Sequence, residues 1–268
     1  MLSVKYFDCS DFYRNLIKNL ALARGLFNVK KHNLKDTFKK IDSGNKIIQN
    51  LNVNHPVLEN DIFLKNIRKG MELNNDFKDF FTNFFTNLNY ENLIKFEIKN
   101  YYILLFIEFE TYLSNCIRSL LLKFPQILDK KSISREELSE LENLDRDSID
   151  EILIDKLIHE MSYGDLLDLF NNYKKILGIK HEIDRNLIVK LNGYREIRHL
   201  HIHKSGKIDS VFIQKVGKYG LDSKKIGINE LTNGVKVEIT MEMLEKAELL
   251  VLDVAYIFDK SYMKIFNK

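Results

Sequence analysis

Between Tyr194 and Gly206 the chain reads Tyr-Arg-Glu-Ile-Arg-His-Leu-His-Ile-His-Lys-Ser-Gly. Arg195, Arg198, His199, His201 and His203 place two guanidinium groups and three of the seven histidines within nine residues, with no cysteine or aspartate among them. A guanidinium presents a fixed fork of donors that matches phosphate oxygens. An imidazole changes charge near neutral pH and so serves as general acid or general base. Together they suit a polyanion, and the handling of a phosphate ester without a metal.

Three uses compete for this cluster. The first is a metal site. On a strand the alternating His199, His201 and His203 would share a face, as in some zinc enzymes. Helical spacing of Leu187, Leu191, Tyr194 and Arg198 argues against it: on a helix His199 and His203 share a face and His201 points elsewhere. No His-Glu-x-x-His signature is present either, so no metal is expected. The second use is structural, with the cations satisfied at a helix interface by carboxylates such as Glu110 or Glu196. The third is ribonucleolytic. Arg198 and His203 are five residues apart, about 140° around a helix, and do not share a face. They converge only where the helix ends near His203, or where a second subunit brings the equivalent pair across a two-fold axis.

The elements that must position these groups read as helices. The chain has 268 residues, 45% hydrophobic and 29% charged, enough for one large domain or two small ones around a sizeable core. Gly (11) and Pro (2) are scarce, which favours long helices over a turn-rich sandwich or barrel. A net charge of +3 does not by itself mark a nucleic-acid binder. Cys9 and Cys116 have no paired spacing, so neither a disulfide framework nor a zinc ribbon is expected. The first residues lack the apolar core of a signal peptide, and the longest apolar run, Tyr101–Phe109, is broken by Glu108. These features predict a soluble cytoplasmic protein with no membrane partner.

Residues 1–50 predict helix from Phe12, Leu16, Leu20 and Ala23, with a break near Gly25 and Asn28. The basic stretch Lys30, Lys31, His32, Lys35, Lys39 and Lys40 reads as a solvated helix face rather than a nucleic-acid surface. A loop follows around Pro56. Phe77, Phe80, Phe81, Phe84 and Phe85 then form a stripe suited to core packing rather than base stacking. Residues 91–124 predict the strongest helix, apolar on most sides and closed by Phe124-Pro125, with Glu110 placed as a rim residue or a partner for the Arg/His cluster. Ser134 and Ser148 are expected helix caps, the latter in a capping box. Tyr163-Gly164-Asp165 opens a helix over Leu166–Leu177 that Gly178 closes. Residues 184–203 form the cluster's helix, with Gly206 as its stop. Gly217, Gly220, Gly227 and Gly234 predict turns, Val235–Thr240 a strand and residues 241–266 a last helix.

Arg198-x-x-x-x-His203 on a helix, with Gly206 within three residues of the histidine, resembles the signature of the HEPN family (higher eukaryotes and prokaryotes nucleotide-binding domains). Phe109-Glu110-Thr111-Tyr112-Leu113 with Lys123-Phe124-Pro125, Tyr163-Gly164-Asp165, Leu177-Gly178-Ile179, Asp209 and the closing segment extend the resemblance over roughly residues 91–266. It implies an all-α bundle, here residues 91–268; residues 1–90 lie outside the resemblance and read from their periodicity as an N-terminal helical region, and Val235–Thr240 is the one short β element near the C-terminus. It implies a homodimer whose Arg/His pairs line one cleft. It also implies metal-independent RNA cleavage without a cofactor, in a toxin or antiviral defence setting. Carried over, His203 is the acid/base and Arg198 holds the phosphate. His199 stands where the family usually has Asn, and would donate a hydrogen bond or act as a second base. Arg195, Lys204 and Lys207 would contact RNA, with Glu110 in support. An antitoxin or regulatory protein would be a partner. Ser205 occupies the place where one subgroup carries a tyrosine modified by its nucleotidyltransferase antitoxin, so that form of control is not expected. The alternative is a non-catalytic module of the same fold that grips RNA, a nucleotide or its own copy.

Overall fold

A computed structural model describes residues 9–41, 90–130, 145–162, 164–180, 182–219 and 222–267. The fold is all-α: among these residues there are seven α-helices, two short 3₁₀ turns and no strand. The helices are α1 (Asp11–Ile41), α2 (Tyr90–Lys123), α3 (Arg146–Ser162), α4 (Leu166–Leu177), α5 (Arg185–His203), α6 (Ser210–Lys218) and α7 (Met241–Phe266). None is long and apolar enough to cross a membrane. The loop around Pro56, the phenylalanine stripe of residues 77–85, Ser134, Tyr163 and Gly220 lie outside the described residues.

The chain divides into two compact units, one of Met1–Leu22 with Tyr101–Lys268 and one of Ala23–Asn100. In the smaller unit Phe27 and Ile98 are buried, and Lys30 Nζ donates to Glu97 at 3.0 Å. The larger unit holds the Arg/His cluster. Its α5 packs against α4, α6 and α7, because Ile188, Leu191, Tyr194, Ile197 and Leu200 form an apolar stripe along it. Removing each such side chain from water is worth about 1.5–3 kcal/mol. Phe170, Tyr173 and Phe258 meet at ring separations of 5.5–5.8 Å between α4 and α7. From Tyr101 onward α2 buries Tyr102, Phe106, Phe109, Leu113 and Ile117 along one face, while Leu104 and Ile107 on the other side are exposed. The Tyr102 hydroxyl donates to the Tyr194 carbonyl at 2.6 Å, a buried tie between α2 and α5.

Several local expectations are corrected. Helix α1 runs through Gly25 and Asn28 without a break, since one glycine and one asparagine cost about 1 kcal/mol or less each and cannot outweigh a long run of good helix formers. The N-cap of α3 is Asp145, not Ser148: its Oδ1 accepts the Ser148 N–H at 2.8 Å. A carboxylate at that position also favours the positive end of the helix dipole. Gly217 lies inside α6, a helix that starts at Asp209, whose Oδ1 accepts the Phe212 N–H at 2.9 Å. The segment predicted as a strand, Val235–Thr240, is extended but pairs only at the single antiparallel bridge Lys207–Lys236. Its alternation serves burial instead, with Val237 and Ile239 turned into the core.

Candidate active site

The site is the C-terminal half of α5 and what lies against it. Asp184 starts the helix, its Oδ1 accepting the Asn186 N–H at 2.6 Å. The stop is as local as the start. The Lys204 and Gly206 N–H groups both reach back to the Leu200 carbonyl, at 2.8 and 2.9 Å. Ser205 (φ 53°) and Gly206 (φ 82°) then turn the chain through left-handed backbone. Val237 N–H donates to the Gly206 carbonyl at 2.9 Å, which anchors the exit. The last helical residue is therefore His203.

The structure divides the cluster into two groups. His199 and His203 stack with ring centroids 5.7 Å apart and planes 21° off parallel, as expected one turn apart. Arg195 and Arg198 converge on Glu110 of α2. Arg195 Nε donates to Oε1 at 3.0 Å, and Arg198 Nη1 donates to Oε1 and Oε2, each at 2.8 Å. Arg195 Nη1 also donates to the Gly164 carbonyl at 2.8 Å. Arg198 is not hydrogen-bonded to His203 or His199; its ties run to α2. His201 faces another way, over Gly206. Lys204 lies 3.8 Å from Asp209, and Lys207 is exposed at the bridge.

Glu196, expected as an alternative partner for the arginines, binds Lys215 of α6 at 2.7 Å instead. The Glu196 carboxylate is buried and its Oε1 has no hydrogen-bond partner. Lys215 and Asn192 went unrecognised in the sequence. Asn192 is fully buried, its Oδ1 accepting the Leu166 N–H at 3.1 Å. A polar residue beside the apolar stripe of Ile188, Leu191, Tyr194 and Ile197 was the available signal.

No family model, no curated protein and no solved structure matches this chain. The chemistry of the site rests on its own residues. Burial lowers the pKa of His199; Glu196 opposes this, while Arg195, Arg198 and Lys215 add to it. His199 is thus held in the neutral form that accepts a proton. His203 beside it is open to solvent. Two guanidiniums around one carboxylate leave an excess positive charge on the same stretch of α5 as the imidazoles. Among the described residues no group of three or more His, Cys, Asp or Glu is arranged to hold a metal.

Proposed function

We propose that this chain is a metal-independent endoribonuclease of the HEPN type. The observation that carries the reading is the end of α5: the helix stops at His203, whose exposed imidazole stacks on His199 next to the Arg195/Arg198 pair. In the reaction the ribose 2′-oxygen attacks the adjacent phosphorus and the bond to the 5′-oxygen breaks. The products are a 2′,3′-cyclic phosphate and a 5′-hydroxyl. One imidazole takes the 2′-hydroxyl proton and the other delivers a proton to the leaving oxygen. His199, held neutral, suits the first task, and His203 the second. Arg198 balances the charge that builds on the phosphorane oxygens. Because the nucleophile belongs to the substrate, this route needs no metal to activate water. Lys204 and Lys207 would meet the RNA backbone. A homodimer would set two such helix ends around one cleft, in a toxin or defence role restrained by a partner protein.

One observation favours a second reading. Glu110 takes donors from both arginines, as in a non-catalytic module where the cluster holds helices together or grips a ligand. Incubation of the purified protein with RNA in EDTA separates the two. Cleavage is expected to persist in EDTA and to fall at least about 100-fold in both Arg198→Ala and His203→Ala. Intact RNA in every lane leaves the module, and loss of activity on EDTA addition returns the metal.

A further inference from the structure

We propose that Glu110 is the resident occupant of an oxyanion site built by Arg195 and Arg198, and that an RNA phosphodiester enters by displacing it. The proposal rests on the nuclease reading only for the identity of the incoming anion.

The Glu110 carboxylate sits where a phosphate would, with one oxygen shared between two guanidiniums and the other on Arg198. Yet it uses Arg198 poorly. A single nitrogen, Nη1, serves both carboxylate oxygens, and the Arg198 Nε is enclosed with no acceptor. A parallel two-nitrogen fork is the arrangement a guanidinium makes best with carboxylate or phosphate. The Glu110 pose lacks it, so a better acceptor has something to gain.

The three side chains also differ in exposure. The Glu110 side chain is 32% exposed, whereas the two arginine side chains are 13% exposed. On leaving, the carboxylate swings toward water and is rehydrated at once. The arginines stay behind. Arg195 keeps its tie to the Gly164 carbonyl, so one donor remains aimed when the carboxylate departs. Released from Glu110, the pair carries two positive charges rather than one net charge, next to His199 and His203. In the resting state the same ion pair hides those charges from other anions. An affinity measured on such a site is weakened by the fraction of molecules in which the resident group is out of the way.

The test reads binding, not turnover. The probe is a short 2′-O-methyl RNA, which has no free 2′-hydroxyl and cannot be cleaved. Glu110→Gln is expected to tighten its binding about tenfold, the gain for a site closed about nine-tenths of the time. Glu151→Gln, an equal charge change at an exposed position of α3, should leave binding within about twofold. Adding Arg198→Ala to Glu110→Gln should remove the gain. Should the Gln variant not fold, Glu110→Asp carries the test: it keeps the charge, withdraws it by one methylene, and is expected to give a smaller gain of the same sign. Unchanged or weaker binding in a folded Gln or Asp variant overturns the proposal, as does an equal gain in Glu151→Gln. Glu110 is then a tether that aims the arginines. The nuclease reading fails separately, when wild-type protein leaves unmodified RNA intact.

Discussion

His199 shows how a side chain's charge is set by its neighbours rather than its type. Burial lowers its pKa from the ordinary value of about 6.5, and the cations Arg195, Arg198 and Lys215 add to the effect against the pull of Glu196. The native protein therefore binds fewer protons at this position than the unfolded chain does between the two values. The stability that His199 contributes is present above about pH 6.5 and is lost as pH falls through the lowered native value. A nuclear magnetic resonance titration should place the His199 midpoint below the ordinary one. His199→Gln should lack this part of the acid destabilisation. A native midpoint at or above the ordinary value would remove the case for a neutral base. The type and spacing of His199 and His203 were legible in the sequence, because one helical turn is a local property. The charge state was not, because burial, its largest cause, depends on how the other helices close over α5.

At the scale of the element, the end of α5 does the positioning. Gly206 has φ 82°, and a Cβ there would lie 2.8 Å from His201 Cε1 and 3.1 Å from the Val237 carbonyl oxygen. A side chain in left-handed backbone costs about 1–2 kcal/mol before any clash. Gly206→Ala should lower the free energy of unfolding by at least that amount, read as a lower urea midpoint at unchanged slope. It should also reduce cleavage, since the turn that fixes His203 would shift. An alanine variant as stable and active as wild type would show that the stop does not position the imidazole. The glycine stop was readable in advance, as was the span of α5. Helix α6 was not: Asp209 caps it, but two glycines nearby, Gly217 and Gly220, suggested turns. The Val235–Thr240 alternation suggested a strand, yet a single bridge to Lys207 was the pairing available.

At the scale of the larger unit, its two sequence ends are clasped by a buried carboxylate. Asp259 of α7 is fully buried and accepts the Ser10 N–H at 2.9 Å, the Ser10 hydroxyl and the Tyr112 hydroxyl at 3.3 Å. Ser10 in turn caps α1 through the Tyr13 N–H at 3.1 Å. Burial pushes the Asp259 carboxyl up, and the hydrogen bonds from Ser10 and Tyr112 offset only part of that. A raised carboxyl binds its proton more tightly in the native state, so the stability it contributes is lost as pH rises through its native value. Asn at this position does not titrate. The stability of Asp259→Asn relative to wild type should therefore rise as pH climbs above the ordinary carboxyl value of about 4. A pH-independent difference in chemical denaturation would mean that burial does not raise the Asp259 carboxyl above its unfolded value.

The sequence alone determined an all-α chain, the order of α2, α3, α4, α5 and α7, and the compression of arginines and histidines onto the last turns of α5. Each of those follows from hydrophobic period, capping residues and turn glycines, which act over a few residues. Tertiary structure alone decided which partner each cation meets. Glu110 lies 85 residues before Arg195 and 88 before Arg198, and it takes both, while Glu196, one residue from Arg195, goes to Lys215. Such pairings depend on how helices close against one another, and no local pattern encodes that closure.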